Sequence, residues 1–275
     1  MSLFQAVVLA VVQGFTEFLP ISSSAHLALA PWLFGWPDQG LVFDIALHFG
    51  TLAAVLVYFF RDWVQIIAQG FGLSWGSSEE LRANPRLLWL LAAGTVPVAV
   101  SGLLLEEYVE TVLRHPLPIG FMLIAVGMLM AVADRTSRRR KRLGEASLAD
   151  CLIVGAAQAV AVVPGTSRSG ITITAALFRQ FDREAAARLS FLLSTPAIGG
   201  AALLALRKLL EQGGVPPGMG APFAVGILAS AVTGCIVISF FLRFLRRHSL
   251  KFFVSYRIIF GIIIIALALF RPPTG

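Results

Sequence analysis

The chain has 275 residues, 57% of them hydrophobic and only 13% charged, with a mean hydropathy of +0.82. A soluble domain averages about 45–50% apolar and about 25% charged residues, so an ordinary water-soluble fold is excluded and lipid becomes the solvent. The formal charge is +7 and the pI near 10.2. The basic residues nevertheless lie in short loops between apolar runs, where they serve orientation and anionic headgroups rather than nucleic acid.

In chain order, residues 2–35 form two short apolar pieces broken at Pro20 and the triplet Ser22-Ser23-Ser24. Neither piece reaches the roughly 17–25 residues of a spanning helix, so the pair reads as a re-entrant hairpin. Such backbone is tolerated at membrane depth only where it is buried in protein or lines a cavity. The runs 41–60, 87–105 and 117–133 follow, each long enough to span. A second broken pair, 148–179, is interrupted at Pro164-Gly165, and three more spans follow at 186–206, 221–242 and 252–270. Long continuous runs, in place of alternating ten-residue segments, select helices over a barrel. Met1-Ser2-Leu3-Phe4 lacks the basic start of a signal peptide and is expected to be retained. Cys151 and Cys235 are isolated, with no ligand spacing, and read as small apolar fillers.

The expected fold is therefore an all-α integral membrane domain over 1–275, with six full transmembrane helices and two re-entrant helix pairs. Each broken pair precedes three spans, so the chain divides into repeats 1–140 and 141–275. Three is odd, so the second repeat sits upside down, and matched interrupted segments in inverted halves point to a midplane site. Of 22 Lys and Arg, Arg168 and Arg257 lie inside apolar segments. Arg114, Arg207, Lys208 and Arg271 fall on the face where the first hairpin opens, and the remaining sixteen fall opposite. The positive-inside rule then puts both termini outside and the 134–148 loop in the cytoplasm.

The first break carries Gln13 and Glu17, four apart and on one helix face. Pro20 ends that helix, and the serines offer an N-cap for the next, on whose first turn His26 follows Ser23 by three residues. Glu17 and His26 would otherwise be interfacial residues at a helix end, and Gln13 an interhelical hydrogen-bonding residue. Ionisable groups gathered at membrane depth favour function instead. At the second break, Pro164-Gly165-Thr166-Ser167-Arg168-Ser169-Gly170-Ile171-Thr172, hydroxyls cap a new helix whose free amides and dipole attract anions. Arg168 adds a fork for phosphate oxygens. Arg168, Glu17, Ser23 and His26 together suit attack on phosphorus. A transporter that flips a polyprenyl phosphate through the same anion site is the rival reading.

Other candidates weigh less. Asp44 and His48, four apart near a span start, offer cavity-lining groups, but a helix-start carboxylate with a satisfied histidine is favoured. His115 and His248 read as surface residues, Glu106, Glu107 and Glu110 as a solvated edge, and Arg183 and Glu184 as a cytoplasmic helix start.

At the two motifs, Gln13 to His26 and Pro164 to Thr172, the chain resembles the bacterial undecaprenyl-diphosphate phosphatase (bacitracin-resistance) family. Phe43-Asp44 and Ser190-Phe191-Leu192-Leu193-Ser194-Thr195-Pro196 extend the resemblance over nearly the whole chain. Gln13 stands where that family often has Glu, and Ala25 where it commonly has Gly. The resemblance implies a bacterial plasma-membrane hydrolase that removes one phosphate from undecaprenyl diphosphate, recycling the carrier for cell-wall synthesis, from a site opening to the outer face. It implies a divalent cation, Mg2+ or Ca2+, at Glu17. Glu17, Ser23, His26 and Arg168 become catalytic candidates, with Gln13, Gly165, Thr166, Ser167, Ser169 and Thr172 contacting substrate. Either Ser23 attacks with His26 as base, or His26 itself becomes phosphorylated. A polyprenyl diphosphate and membrane lipids are the expected partners, and a homo-oligomer stays open.

Overall fold

In the computed structural model the backbone is described for residues 1–36, 40–112, 115–211 and 213–270, and the side chains for all of these except 41 and 105–112. The expected edge at Glu106, Glu107 and Glu110 lies outside the described side chains, as Arg114 and Arg271 lie outside the described residues. Among the described residues the chain is all-α, its one β-bridge joining Lys141 and Phe181.

A capping box opens α1 (Leu3–Thr16): Ser2 Oγ accepts from the Gln5 amide, and Gln5 Oε1 accepts from the Ser2 amide. A turn leads to α2 (Ser23–Phe34), then to α3 (Gly40–Tyr58), α4 (Phe60–Gly70), the single turn α5 (Glu79–Arg82), α6 (Leu87–Val112) and α7 (Pro116–Thr136). The second half starts the same way. α8 (Leu148–Val160) has a capping box of Ser147 and Asp150 and leads through a turn to α9 (Arg168–Phe178). The chain ends with α10 (Arg183–Glu211), α11 (Gly220–Leu245) and α12 (Lys251–Phe270).

Five of the described helices, α6, α7, α10, α11 and α12, are long and apolar enough to cross a membrane. A sixth span is possible by length and composition if α3 and α4 count together, although they bend by 72° at their junction. The span expected at 41–60 coincides with α3 and stops at the bend, and the helix α4 beyond it was not expected. Beyond the bend, α4 carries Arg61, Asp62 and Gln65 among its apolar residues, and Asp62 pairs with Arg188 of α10. The short helices α1 and α8, 14 and 13 residues, are each apolar but below spanning length.

Tight helix packing positions the two short helices. α1 lies against α11, which also packs on α3, while α8 lies against α6 and α7 against α12. Where α6 meets α8, Gly94 and Gly155 bring their backbones into direct contact, and a Cβ on Gly155 would collide with the Gly94 carbonyl. Small residues at such crossings replace the hydrophobic driving force that lipid removes.

One end of the bundle is laced by charge. Arg183 Nε donates to Asp134 at 2.6 Å, Arg179 and Lys141 both bond the wholly buried Asp150, and Arg246 pairs with Glu184 at 2.7 Å. Arg188 bridges Asp62 and Glu80. The loops after α4, α7, α9 and α11 therefore meet at this end.

The opposing turns are joined inside the bundle by Arg257 of α12, which is 0% exposed. Its guanidinium donates to five main-chain carbonyls: Pro20 at 3.2 Å, Gly165 at 2.9 Å, Thr166 at 3.0 Å, Leu123 at 3.2 Å and Met122 at 3.3 Å. An unsatisfied buried acceptor costs about 1–3 kcal/mol. Arg257→Met is therefore expected to lower the unfolding midpoint in detergent strongly, by at least about 3 kcal/mol of stability. Arg257→Lys should recover little of it, because an ammonium cannot span both turns. A thermal melt of the purified variants reads this directly.

Candidate active site

The two turns share one unusual backbone geometry. Ser22 sits at φ 79°, ψ 93° and Ser167 at φ 70°, ψ 112°, positions that L-residues rarely occupy and that cost about 1–3 kcal/mol each. Each is an N-cap: Ser22 Oγ accepts from the Ala25 amide and Ser167 Oγ from the Gly170 amide. Each hydroxyl also lies 3.2 Å from the hydroxyl two residues on, Ser24 in one turn and Ser169 in the other. Gly165 must be glycine: its φ is +89°, and a Cβ would meet the Ile119 carbonyl at 2.6 Å. The turns then cross-link. Ser24 Oγ accepts from the Gly165 amide at 3.4 Å, and Ser169 Oγ donates to the Leu19 carbonyl at 3.0 Å.

Between them lies a cavity of about 140 Å³ lined by Gln13, Glu17, Ser23, Asp44, His48 and Arg168, with Ser167, Ser24 and Pro164 at its wall. Ser23 Oγ donates to Glu17 Oε2 at 2.6 Å, and Gln13 Nε2 donates to the same oxygen at 3.2 Å. Arg168 Nη1 approaches the other carboxylate oxygen at 3.7 Å, an ion pair too long for a hydrogen bond. Of five buried side-chain polar atoms without a hydrogen bond among the described residues, four belong to Gln13, Gln158, Thr166 and Arg168, all in or just before the two breaks. Buried polar groups are normally satisfied. Their concentration here marks a place shaped for a polar ligand.

A second, apolar cavity of about 410 Å³ runs between α6 and α10, past Val98, Leu103, Ala201 and Leu204 toward Lys208. Arg168 and Ala161 line both cavities, so the groove and the polar chamber adjoin at these two residues.

The family model for bacitracin resistance protein BacA matches residues 6–263. The chain belongs to the BacA family. The undecaprenyl-diphosphatase of Desulforudis audaxviator is 47% identical over 272 residues, covering 98% of this chain and all of the relative. That of Moorella thermoacetica is 46% identical over 267 residues, covering 97% and 98%, and that of Thermomicrobium roseum 44% over 283 residues, covering 98% and 99%.

Within this BacA-family chain, Gln13, Glu17, Ser23, Ser167 and Arg168 reach the polar cavity. Other residues singled out from sequence do not line it. His26 Nδ1 donates to the Ser22 carbonyl at 2.7 Å, its Nε2 accepts from the Tyr256 hydroxyl at 2.7 Å, and its ring stacks on Phe260. Thr172 Oγ1 donates back to the Arg168 carbonyl and meets Ser190 Oγ at 2.6 Å, turned toward α10. Gly165, Thr166 and Ser169 build the turn. Conversely, Asp44 and His48 line the cavity, although the sequence favoured a bland role for them. Their i, i+4 spacing gave the shared face, but nothing in the sequence aims that face at α1. His115 and His248 are exposed, as expected, and Cys151 and Cys235 are free thiols.

The geometry predicts that inorganic pyrophosphate stabilises the purified protein against thermal unfolding through Arg168. Hydrogen bonds to charged groups contribute about 1.5–3 kcal/mol, so Arg168→Ala should weaken that binding by about ten- to a hundredfold in a thermal-shift titration.

Proposed function

We propose that this chain hydrolyses undecaprenyl diphosphate to undecaprenyl phosphate and inorganic phosphate, with Ser23 as nucleophile. Near-full-length similarity to curated undecaprenyl-diphosphatases supports the reaction. The observation that carries the roles is the 2.6 Å bond from Ser23 Oγ to Glu17 beside Arg168. Arg168 and the first amides of α9, which have no intrahelical partner, bind the diphosphate. The α6–α10 groove, which shares Arg168 and Ala161 with that site, takes the start of the isoprenoid chain.

In the first step Ser23 Oγ attacks the terminal phosphorus while its proton passes to Glu17. The bridging P–O bond breaks, and undecaprenyl phosphate leaves with that bond's electron pair. Arg168 offsets the charge that builds on the phosphoryl oxygens. Water then attacks the phosphoserine, and Ser23 recovers its proton from Glu17. With both His26 nitrogens engaged by Ser22 and Tyr256, the imidazole holds the serine turn instead of attacking.

Among the described residues no group of three His, Cys, Asp or Glu is placed to hold a metal ion. The donors present still fit Mg2+ or Ca2+: the Glu17 carboxylate and the unpartnered Gln13 Oε1 are hard oxygen ligands, and Mg2+ commonly takes one or two carboxylates with phosphate oxygens and water. Glu17 and Gln13 would hold such an ion, which would neutralise charge on the diphosphate.

The membrane arrangement follows the same reading. α1–α2 and α8–α9 form re-entrant pairs in two inverted repeats, 1–140 and 141–275. The matched capping boxes and strained serines support this. The ion-paired end with the 134–148 loop is cytoplasmic, both termini lie outside, and the site opens to the outer face.

Phosphate release from undecaprenyl diphosphate in detergent with Mg2+ should fall by about 10²-fold or more in Ser23→Ala and Glu17→Gln, with the fold retained. Undiminished release in Ser23→Ala would remove the serine as nucleophile. For topology, Arg140→Cys in a variant lacking Cys151 and Cys235 should resist an impermeant thiol reagent in intact cells and react after permeabilisation. Labelling in intact cells would invert the orientation.

A further inference from the structure

The serine step leaves one proton without a destination. Glu17 takes the Ser23 proton and must return it when the phosphoserine breaks, so it cannot also receive the proton of the attacking water. Among the described residues a second proton acceptor faces the same cavity.

His48 lines that cavity together with Ser23, Glu17, Asp44 and Arg168. Its Nδ1 lies 2.8 Å from the Asp44 main-chain carbonyl. A carbonyl only accepts, so Nδ1 carries the proton and Nε2 is left with its lone pair. Nε2 has no hydrogen-bond partner among the described residues, and the ring is only partly buried. This is the reverse of His26, whose two ring nitrogens are both engaged. The tautomer is held by backbone that is itself anchored. Thr51 Oγ1 bonds the carbonyls of Leu47 and His48 one turn on, and Ser230 Oγ of α11 donates to the Leu47 carbonyl.

We infer that His48 is the base for the second half-reaction. Its Nε2 takes a proton from the water as the water oxygen bonds to phosphorus. The Ser23 Oγ–P bond breaks, Ser23 Oγ takes back the proton held by Glu17, and inorganic phosphate departs. The imidazolium then loses its proton to solvent. No oxidant or further reactant is needed. The inference rests on the covalent serine reading above, and it separates the two protons of the cycle onto two side chains.

The test follows label from substrate carrying 32P in its terminal phosphate, by rapid quench, in wild type, His48→Gln and Ser23→Ala. General-base catalysis contributes about 10²–10⁴-fold. His48→Gln should therefore lose about 10²-fold or more in steady-state phosphate release, while undecaprenyl phosphate still appears in the first turnover within a few-fold of the wild-type rate. Label should accumulate on Ser23. In His48→Ala, added imidazole should restore release and clear the label, which a residue with a purely structural role would not permit. An equal fall of first-turnover and steady-state rates in folded His48→Gln, with no extra label, overturns the inference while leaving the serine step standing. The absence of label from Ser23 in every variant overturns the covalent reading and the inference with it. Pyrophosphate thermal shifts establish that each variant is folded. Should His48→Gln fail that check, imidazole rescue of folded His48→Ala decides alone, and no rescue counts against the inference.

Discussion

A guanidinium buried among carbonyls holds this protein's centre together. Taking a cation out of water is expensive, and a buried carboxylate is the usual compensation. Arg257 has no such partner among the described residues and instead takes five backbone oxygens from α7 and from both turns. Three of those carbonyls, on Pro20, Gly165 and Thr166, stand in the turns outside the helices, where no helical amide pairs with them. The arrangement settles two problems at once: orphaned acceptors at helix breaks deep in the bundle, and a charge with no water. It also sets the distance between the turns, since one planar fork reaches Pro20 on one side and Gly165 and Thr166 on the other.

With that spacing fixed, the short contacts at the site become possible. Ser24 reaches the Gly165 amide, Ser169 reaches Leu19, and Ser23 and Arg168 arrive on opposite sides of Glu17. The strained φ values of Ser22 and Ser167 are tolerated because their caps, cross-links and carbonyls are all over-determined. Local strain is thus held by long-range contacts. Residues far apart in the chain must be in place before either turn has its final shape.

Much of this was legible in the sequence, for reasons of period and punctuation. Pro20 and Pro164-Gly165 fall in the breaks just past α1 and α8, serines after them cap the next helix, and long apolar runs mark the spans. The five long helices accordingly start and end within a few residues of their expected bounds, α10 and α6 excepted at their C-terminal ends. What the sequence could not convey was direction in three dimensions. His26 and His48 look alike as letters near helix starts, yet one packs into Tyr256 and Phe260 and the other faces the cavity. Arg257 stood out as a charge in an apolar run, but its partners are backbone atoms, which leave no trace in residue types. Just past the bend at Phe59, Asp62 meets Arg188, 126 positions away.

The twin turns have a further consequence. Each second helix begins directly after its strained serine, and the residue in that first place is Ser23 in one case and Arg168 in the other. A scaffold used twice would, if its copies were identical, present either two nucleophiles with nothing to neutralise the phosphate or two cations with nothing to attack it. On the proposed roles of Ser23 and Arg168, catalytic competence therefore depends on the two turns being unlike at this one matched position. On the same proposal, a symmetric pair built from either half alone would lack one of the two groups, so one fused chain is what lets both stand at the same site.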